Sequence, residues 1–571
     1  MGDPKQVNQN SGGKDQQTFD AIVVGSGISG GWAAKELCEK GLKTLVLERG
    51  RNVEHIKDYK TALMAPWQFP HYLNDTTKEK EDDPVLSSYC DESNRQFFAS
   101  TVDHPYIQEQ PFYWVRGYQV GGRSLTWGRQ CYRLSDLDFE ANQKDGHGVD
   151  WPIRYKDIEP WYNYVEEFVG ISGSPENLQQ LPDGKFLPPM EMNCIEDYFS
   201  KKIRSTYTDR IVTIARVANL TQGWKGRGPC QFRNLCDRGC PFSGYFSSNA
   251  ATLPVAAATG NMTMLPDSIV VEVIYDEQKS RATGVRVMDA HTKKITEYFS
   301  KIIFLNASTI ATAAILLRSV SKRFPQGLGN DSNQVGHNLM DHFLGSGAGA
   351  VFDGFNDKYY FGRKPAGIYV PRFRNLNKQS ARKDFVRGYG FQGSGGRKEW
   401  HDMTTMEGFG KDFKRKLTSP GPWQMWIGAW GETLPYYDNK ISLDNDKKDK
   451  WGIPQVRINF EYHENEKNMR KDITESAVEM LNKSGFQNVA AFNYHLPGGA
   501  AVHEMGTVRM GRDPKTSVLN AFNQMHDVKN VFITDGSCMT SAGCQNPSLT
   551  YMALTARACD HAVSELKKGN L

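Results

Sequence analysis

The chain has 571 residues, of which 39% are hydrophobic, 23% charged and 11% aromatic, with 53 glycines and 26 prolines. This composition is typical of a loop-rich folded protein and excludes a disordered, collagen-like or coiled-coil chain, while the length favours two domains. With 69 basic against 65 acidic side chains, the formal charge of +4 gives no reason to expect nucleic acid or anionic lipid as the main partner.

The sequence also argues against a direct membrane span. No stretch approaches the roughly 20 apolar residues that cross a bilayer, and polar residues such as Asn306 and Ser308 interrupt the nearest one, 302–317. The polar segment Met1–Phe19 lacks the apolar run of a secretory signal. We therefore expect neither a membrane span nor an export signal of its own.

The first predicted elements form a strand, a glycine turn, a helix and a second strand. The apolar run 21–24 predicts the first strand, GSGISG at 25–30 the turn, 31–40 the helix, and the apolar run 44–47 the second strand. This is a βαβ unit, and such units build parallel sheets. The sequence therefore predicts an α/β fold with a Rossmann-like sheet.

Three glycines and one glutamate in this unit predict a dinucleotide site. Gly25 permits the tight turn, Gly27 lets the backbone approach a pyrophosphate at the helix N-terminus, and Gly30 lets the helix pack closely on the strand. Glu48, at the end of the second strand, would accept hydrogen bonds from a ribose diol. These residues fit NAD and FAD equally, because both carry adenosine diphosphate, and an ordinary βα turn is the alternative.

The rest of the chain continues this mixed pattern. In residues 51–110 the apolar residues show no sustained helical or strand periodicity. We interpret this segment as a long excursion that covers another part of the protein. Residues 346–499, rich in glycine and aromatic residues, are the candidate second domain. The other predicted elements are a hairpin within 268–298, a strand at 302–305 with a helix ending at Arg318, a strand at 423–430, a strand and turn at 531–536, and a closing helix at 547–565.

Four further motifs follow the glycine turn. They are VGGRSLTWG (120–128), VGHNLMDH (335–342), HEMGTVRMG (503–511) and VFITDGSCMTSAGCQNPSLTYMALTARA (531–558). In this order the motifs resemble the glucose-methanol-choline (GMC) family of flavin oxidoreductases, and the resemblance extends from about residue 19 to the C-terminus. It implies bound FAD rather than NAD. The segment 306–320 departs from the family pattern. The family often has a proline and a final glycine there, and this chain has Ala313 and Val320 at those positions.

The resemblance implies the GMC fold, in which a Rossmann-like FAD-binding domain carries a discontinuous α+β substrate domain. It assigns to the FAD-binding domain residues 17–55, 112–135, 218–345 and 500–571. It assigns to the substrate domain and its covering excursions residues 56–111, 136–217 and 346–499.

The resemblance also places individual residues around the flavin. Gly121, Gly122 and Ser124 are expected beside the flavin, and Asp535 and Gly536 near its ribityl and pyrophosphate part. Some sugar-oxidising relatives link a histidine of the VGGRSLTWG loop covalently to the flavin. Because this chain has Thr126 at that position, we expect noncovalent FAD.

Two residues match the catalytic pair of the family. Alcohol oxidation by a flavin needs a hydride acceptor, N5 of the ring system, and a base that takes the hydroxyl proton. His503, in the family's HxxGT context, is the expected base, since neutral imidazole with an ordinary pKa of ~6.5 can accept that proton. Asn546, in NPSLT, matches the partner that holds the substrate hydroxyl. The other histidines, among them His337, His342 and His495, we interpret as structural.

Cys230, Cys236 and Cys240 crowd into one glycine-rich loop. Convergent thiolates suit an iron–sulfur cluster, and the spacing is similar to that of membrane-linked FAD glucose dehydrogenases, which hold a [3Fe-4S] cluster. Zinc with a fourth ligand, or a disulfide with a spare thiol and no metal, are the alternatives. A cluster near the flavin would pass electrons singly to a protein acceptor, which is the behaviour of a dehydrogenase.

Within the family the chain resembles bacterial glucoside 3-dehydrogenases. This resemblance implies oxidation of the C3 hydroxyl of a sugar or glycoside to a 3-keto sugar, a small companion subunit with an export signal, a cytochrome c-type acceptor and a periplasmic location. A cytoplasmic location is the alternative. Other sugar, polyol or gluconate dehydrogenases, an oxygen-using sugar oxidase and a non-redox lyase of the same fold also fit the motifs.

Overall fold

The computed structural model describes residues 17–359, 362, 364–397 and 407–571. Its strands, in chain order, are β1 (Thr18–Val24), β2 (Thr44–Leu47), β3 (Ile107–Gln108), β4 (Ile171–Ser172), β5 (Phe186–Leu187), β6 (Thr213–Ile214), β7 (Met262–Leu265), β8 (Ser268–Asp276), β9 (Arg281–Asp289), β10 (Ile295–Leu305), β11 (Phe343–Phe352), β12 (Ile368–Val370), β13 (Tyr389–Gly396), β14 (Trp423–Gly431), β15 (Lys440–Lys448), β16 (Pro454–Asn459), β17 (Gln487–Asn493) and β18 (Val531–Ile533).

Helices cover both sheets and the connections between them. In chain order they are α1 (Ile28–Glu39), α2 (Thr77–Asp82), α3 (Pro84–Ser87), α4 (Asp136–Phe139), α5 (Ala141–Asp145), α6 (Tyr155–Val169), α7 (Cys194–Thr206), α8 (Thr252–Ala258), α9 (Thr309–Arg318), α10 (Gly410–Thr418), α11 (Glu464–Lys483) and α12 (Ser548–Lys567).

The first sheet is built on the predicted βαβ unit. Its order is β7-β2-β1-β10-β9-β8, with β18 also paired to β10. Strands β7, β2, β1, β10 and β18 run parallel. The apolar runs 21–24 and 44–47 are buried throughout, as expected of parallel strands covered on both faces. Helix α1 packs on α8 and α12, so the α/β prediction is confirmed.

Strand β10 joins the predicted hairpin to this parallel sheet. Strands β8 and β9 pair antiparallel around the turn 276–281, as predicted. The first part of β10 pairs antiparallel with β9, and its second part pairs parallel with β1 and β18. One long strand therefore carries the chain from the hairpin to the carboxyl end of the sheet, where α9 begins.

The second sheet is antiparallel, with the order β17-β11-β14-β13-β12-β6. Helices α7 and α11 pack against it. On α11 the buried side chains of Met469, Ile473, Ala477 and Met480 recur at the three- and four-residue spacing of one helix face. The sheet and these helices share a hydrophobic core that is separate from the core of the first sheet.

Element limits differ slightly from the sequence predictions. Helix α1 begins at Ile28, directly after Gly27, because the glycine turn is shorter than its motif. The predicted helix ending at Arg318, the predicted strand at 423–430 and the predicted closing helix are present as α9, β14 and α12. The excursion 51–110 contains only α2, α3 and β3 among its named helices and strands. The domain limits stay a prediction.

Within the described ranges, no helix combines the length and apolarity needed to cross a membrane.

A buried arginine ties the second sheet to helix α5. The Arg387 guanidinium donates to Glu432 at 2.8 Å, to Asp145 at 2.5 and 3.0 Å and to Asn142 at 2.7 Å, and Arg387 is only 3% exposed. Arg387→Met would leave the buried carboxylate of Glu432 and the half-buried carboxylate of Asp145 without this cation. We expect it to lower the free energy of unfolding by about 3–5 kcal/mol, measured by denaturant titration.

The matched control for this substitution is Arg415→Met. Arg415 is exposed and has one long contact, to Asp412 at 3.5 Å, so its replacement should change the free energy of unfolding by no more than about 0.5 kcal/mol. Similar small losses in both variants would contradict a stabilising role for Arg387.

Candidate active site

One cavity of about 380 Å³ contains most of the predicted site residues. They come from the glycine turn, the end of β2, the VGGRSLTWG loop, and the motifs 503–511 and 531–558. The predicted residues that line the cavity are Gly25, Gly27, Glu48, Gly122, Ser124, His503, Asp535, Gly536 and Asn546. Gly30 and Gly121 do not line it. Thr126, the position of the linking histidine in some relatives, does.

The glycine turn leaves room for a dinucleotide. A Cβ atom on Gly27 would meet no atom within 4 Å, so its backbone is open to close approach by a ligand. A Cβ on Gly30 would overlap the carbonyl group of Gly25, which is the close packing predicted for this position. The turn lies at the carboxyl end of β1 and at the N-terminus of α1, where a pyrophosphate is favoured. These residues fit an FAD pyrophosphate.

Glu48 is tied to the same turn. Its carboxylate accepts hydrogen bonds from the Ser26 backbone amide at 3.1 Å, the Ser26 hydroxyl at 2.6 Å and the Gly50 amide at 3.0 Å. Burial raises the pKa of Glu48, and these hydrogen bonds oppose the rise. An ionised carboxylate has about four acceptor positions, so Glu48 retains capacity for the ribose diol that its position predicts.

The loop 121–124 is shaped by packing. Gly121 has a φ of +92°, and a Cβ there would overlap the Asn249 amide. Gly121 therefore shapes the loop without lining the cavity. The hydroxyl of Ser124, which does line it, donates to the Gly121 carbonyl at 2.6 Å and accepts from the Ser248 amide at 3.0 Å.

Asp535 holds together the turns that follow two parallel strands. Its carboxylate accepts from the Ser308 amide at 2.9 Å, the Thr312 hydroxyl at 2.6 Å, and the Ser537 amide and hydroxyl at 3.0 and 2.5 Å. Burial raises its pKa against the effect of these bonds. Asp535 and Gly536 line the cavity, and the four contacts show that Asp535 also fixes the cavity wall.

The predicted catalytic pair comes together. Nε2 of His503 lies 3.3 Å from Nδ2 of Asn546, and both residues line the cavity that contains the glycine turn. Asn546 precedes α12, whereas His503 lies in a loop between β17 and β18. The fold therefore places a basic ring nitrogen beside an amide group in the same cavity.

A dipeptide from VGHNLMDH holds His503 at two points. The Asp341 carboxylate accepts from the backbone amides of His503 at 2.9 Å and Ala501 at 3.1 Å. The next residue, His342, brings its Nδ1 to 2.9 Å from Nδ1 of His503. His342, which we interpreted as structural, therefore contacts the predicted base. The available signal was its place in a motif of the resemblance.

The protonation of the two rings follows from one carbonyl group. Nε2 of His342 lies 2.7 Å from the Gly543 carbonyl oxygen, which can only accept, so this nitrogen carries a hydrogen. Burial lowers the pKa of His342 to about 4, and burial together with His342 and Arg123 lowers the pKa of His503 well below its usual value. Both rings are therefore neutral near pH 7.

In a neutral His342 the remaining nitrogen, Nδ1, can only accept a hydrogen bond. Nδ1 of His503 must then donate to it. His503 consequently has its hydrogen on Nδ1 and a free lone pair on Nε2, the nitrogen that faces Asn546. This tautomer can accept a proton in the cavity.

The three cysteines lie in a half-buried loop as free thiols. Hydrogen bonds reach each sulfur: from the Phe232 amide to Cys230 at 3.4 Å, from the Gly244 amide to Cys240 at 3.3 Å, and from the Asn219 side chain to Cys236 at 3.9 Å. Burial raises the pKa of Cys230 to about 11, with a contribution from the other two thiols. The described part of the chain contains no group of three or more histidine, cysteine or acidic residues arranged to hold a metal ion. The structure does not support the predicted ligand set.

Comparison with known proteins identifies the family. The family model described as GMC oxidoreductase matches residues 19–344 with its N-terminal part and residues 435–555 with its C-terminal part. The chain therefore belongs to the GMC oxidoreductases, and the resemblance seen in its motifs is confirmed. It is a flavoprotein oxidoreductase whose cofactor is FAD, which agrees with the space and polar groups around the glycine turn.

Several curated relatives cover nearly the whole chain. A 2-methyl-1,2-propanediol dehydrogenase of Mycolicibacterium austroafricanum is 28% identical and covers 95% of this chain and 94% of its own length. The fructose dehydrogenase large subunit of Gluconobacter japonicus is 24% identical, covering 96% and 98%. A C-glycoside 3-oxidase of Arthrobacter globiformis is 28% identical over 130 residues, 23% of this chain and 25% of that protein.

Solved structures share the fold at low sequence identity. Pyridoxine 4-oxidase from Mesorbium loti has a TM-score of 0.60 and 15% identity, covering 95% of this chain and 99% of that chain. Formate oxidase of Aspergillus oryzae RIB40 has a TM-score of 0.61 and 13% identity, covering 97% and 99%. These likenesses show the GMC fold.

Substitution of the catalytic pair should separate proton transfer from binding. His503→Ala removes the predicted base, so we expect anaerobic flavin reduction by an alcohol substrate to slow about a hundredfold to ten-thousandfold, with a smaller change in substrate affinity. Asn546→Ala should lower both the rate of flavin reduction and the affinity for the substrate, because the Asn546 hydrogen bond is present before and during the reaction. Stopped-flow bleaching of the flavin measures both effects. His337→Ala, which lies outside the cavity lining, is the matched control.

The pH profile of the same reaction tests the identity of the base. Protonated imidazole cannot accept the hydroxyl proton, so the wild-type rate must fall as the pH drops through the pKa of His503. Because burial lowers that pKa well below 6.5, we expect the acid limb below pH 6.5. A His503→Ala variant that reacts as fast as wild type, with the same acid limb, would show that the base lies elsewhere.

Proposed function

We propose that this protein is an FAD-dependent dehydrogenase that oxidises a secondary hydroxyl group of a sugar or glycoside, with C3 as the favoured carbon and FAD bound noncovalently. The observation that carries the proposal is the placement of His503 Nε2, unprotonated by the argument above, 3.3 Å from the Asn546 amide in the cavity that contains the dinucleotide turn. That arrangement suits removal of a proton from a bound alcohol.

The protein's own residues have defined tasks in this reaction. Bound FAD supplies the hydride acceptor. Asn546 donates a hydrogen bond from Nδ2 to the substrate hydroxyl oxygen, and His503 accepts the hydroxyl proton at Nε2. His342 keeps the His503 ring oriented through the hydrogen bond between their Nδ1 atoms. The substrate loses a hydride and a proton, and a carbonyl group forms at the oxidised carbon.

The second sheet offers an aromatic face that suits a sugar ring. Gln392 pairs with Gly428 across β13 and β14, and directly opposite residues have their side chains on the same face. Trp426 and Trp430 flank Gly428 at two-residue spacing, so they share the face from which Gln392 reaches Asn546. Trp426 is 43% exposed. Aromatic faces beside polar groups are suited to the mixed surface of a carbohydrate.

The relatives support this substrate class. Their names include a diol dehydrogenase, a fructose dehydrogenase subunit, a gluconate 2-dehydrogenase flavoprotein and a C-glycoside 3-oxidase. All are named for hydroxyl-bearing substrates, and the last is named for position 3. The choice of C3 rests on this partial match and on the resemblance to glucoside 3-dehydrogenases.

The electron acceptor is part of the proposal. A large subunit and a flavoprotein among the relatives support a companion subunit, and we propose one that carries the export signal to the periplasm, with a cytochrome c-type acceptor. The [3Fe-4S] site on Cys230, Cys236 and Cys240 belongs to this proposal as well. Its support is the spacing and the hydrogen-bond donors at each sulfur. Asp237, within the same loop, lines the flavin cavity.

A substrate panel tests the sugar assignment. Purified holoenzyme is mixed anaerobically with methyl α-glucoside, fructose, gluconate and 2-methyl-1,2-propanediol, and flavin bleaching is followed. We expect the glucoside to reduce the flavin and product NMR to show a 3-keto sugar. Acid treatment should release the flavin. Bleaching by the diol alone would contradict the sugar assignment, and a flavin retained on denatured protein would contradict noncovalent binding.

Metal analysis tests the cysteine site. Anaerobically purified protein should contain about three irons per chain and a paramagnetic oxidised cluster. Cys236→Ser should then slow reduction of a cytochrome acceptor more than flavin reduction by sugar. The matched control is Cys194→Ser, a free cysteine outside the loop. Iron-free protein that still turns over with the acceptor would rule out the cluster.

A further inference from the structure

A chain of side-chain hydrogen bonds leads away from Asn546. Nε2 of Gln392 donates to Oδ1 of Asn546 at 2.8 Å, and Nε2 of Gln130 donates to Oε1 of Gln392 at 2.9 Å. The Tyr132 hydroxyl donates to Oε1 of Gln130 at 2.5 Å. All four residues are buried. They come from three distant parts of the sequence, and none but Asn546 was predicted to belong to the site.

The direction of this chain is fixed from the histidine end. A side-chain amide can present either its oxygen or its nitrogen to a neighbour, so the chain could in principle run either way. The Gly543 carbonyl, acting through His342, leaves Nε2 of His503 as an acceptor. Asn546 must therefore present its NH₂ group to that nitrogen.

The same reasoning applies to each successive hydrogen bond outward from Asn546. With the Asn546 nitrogen committed to His503, its oxygen must accept from Gln392. The oxygen of Gln392 must then accept from Gln130, whose own oxygen accepts from Tyr132. One backbone carbonyl thus determines the orientation of three amides, and every amide has both ends partnered.

We propose that Gln392 is a positioning residue that holds the Asn546 amide with its NH₂ group toward the substrate hydroxyl oxygen. If the Asn546 amide were flipped, so that its oxygen and nitrogen exchanged places, its oxygen would face both His503 Nε2 and the substrate hydroxyl oxygen. No donor would then hold the substrate. Gln392 lies on β13 of the second sheet, so that sheet contributes directly to the orientation of the catalytic pair.

The role of Gln392 as a hydrogen-bond donor predicts opposite results for two substitutions of similar size. A glutamate at position 392 can only accept when ionised, so Gln392→Glu should turn the Asn546 amide and place its oxygen against His503. Nε2 of His503 should then gain a hydrogen. A methionine at position 392 cannot donate, and its thioether sulfur accepts only weakly, so in that variant the orientation of Asn546 depends mainly on His503.

The experiment reads the protonation of His503 by NMR in holoenzyme labelled with ¹⁵N-histidine, with the His503 signals assigned by their loss in His503→Gln. We expect an unprotonated Nε2 in wild type and Gln392→Met and a protonated Nε2 in Gln392→Glu. Gln424→Glu adds the same charge at an exposed position of the same sheet and should match wild type. This readout needs no substrate.

A kinetic measurement is the second part of the experiment, and its interpretation rests on the proposed function. With methyl α-glucoside as the probe, Gln392→Met should reduce the flavin about tenfold more slowly at unchanged FAD content, the effect of one lost hydrogen bond. Gln392→Glu should be slower still.

Two outcomes would overturn the proposal. One is a Gln392→Glu variant that keeps an unprotonated His503 Nε2 at a pH high enough to ionise the introduced carboxyl group. The other, decisive if Gln392→Glu does not fold, is a Gln392→Met variant that reduces as fast as wild type. If methyl α-glucoside fails to bleach the wild-type flavin, the proposed substrate is wrong and the NMR test stands unchanged.

Discussion

The hydrogen bond from His342 to the Gly543 carbonyl is the contact on which the geometry of the catalytic pair depends. A carbonyl oxygen has no hydrogen to give, so it removes any choice about the His342 tautomer. The hydrogen bond between the two Nδ1 atoms carries this restriction to His503. The nitrogen left free is the one that faces the cavity. A single backbone oxygen thus sets the tautomer of His503, with Nε2 unprotonated.

Burial makes this arrangement effective. Desolvation disfavours the charged imidazole, which keeps both histidines neutral, and it also raises the pKa of the neighbouring Asp341 to about 8. In a low-dielectric site hydrogen bonds are stronger, and unpaired polar atoms are costly. The site therefore pairs its groups: Asp341 accepts two backbone amides, and Glu504 binds Arg123 at 2.6 Å.

The two sheets contribute different residues to the site and its surroundings. The glycine turn, Ser308 and Asp535 follow the carboxyl ends of β1, β10 and β18, the edge of a parallel sheet where ligands bind in open α/β folds. The antiparallel sheet supplies Gln392 and the aromatic face that carries Trp426. The glycine turn and Asp535 thus follow strands of the first sheet, whereas the hydrogen-bond donor to Asn546 comes from the second.

The sequence by itself determined the βαβ unit, the glycine turn with Glu48, the family, and the pair His503 and Asn546. These features depend on local periodicity and on residue types at short spacing, which a single chain displays directly. The predicted three-cysteine metal site found no support in the part of the chain that the structure describes, where no group of three or more histidine, cysteine or acidic residues is arranged to hold a metal ion.

Only the tertiary structure decided how the catalytic pair is oriented. His342 and His503 are 161 positions apart, and Gln392 and Asn546 are 154 apart. The Gly543 carbonyl, which fixes the tautomers of the two histidines, is 201 positions from His342. A backbone carbonyl has no sequence signature, and the glutamine lies in a region without a recognised motif. Tautomer and amide orientation arise from contacts between distant segments, so they become defined only when the chain folds.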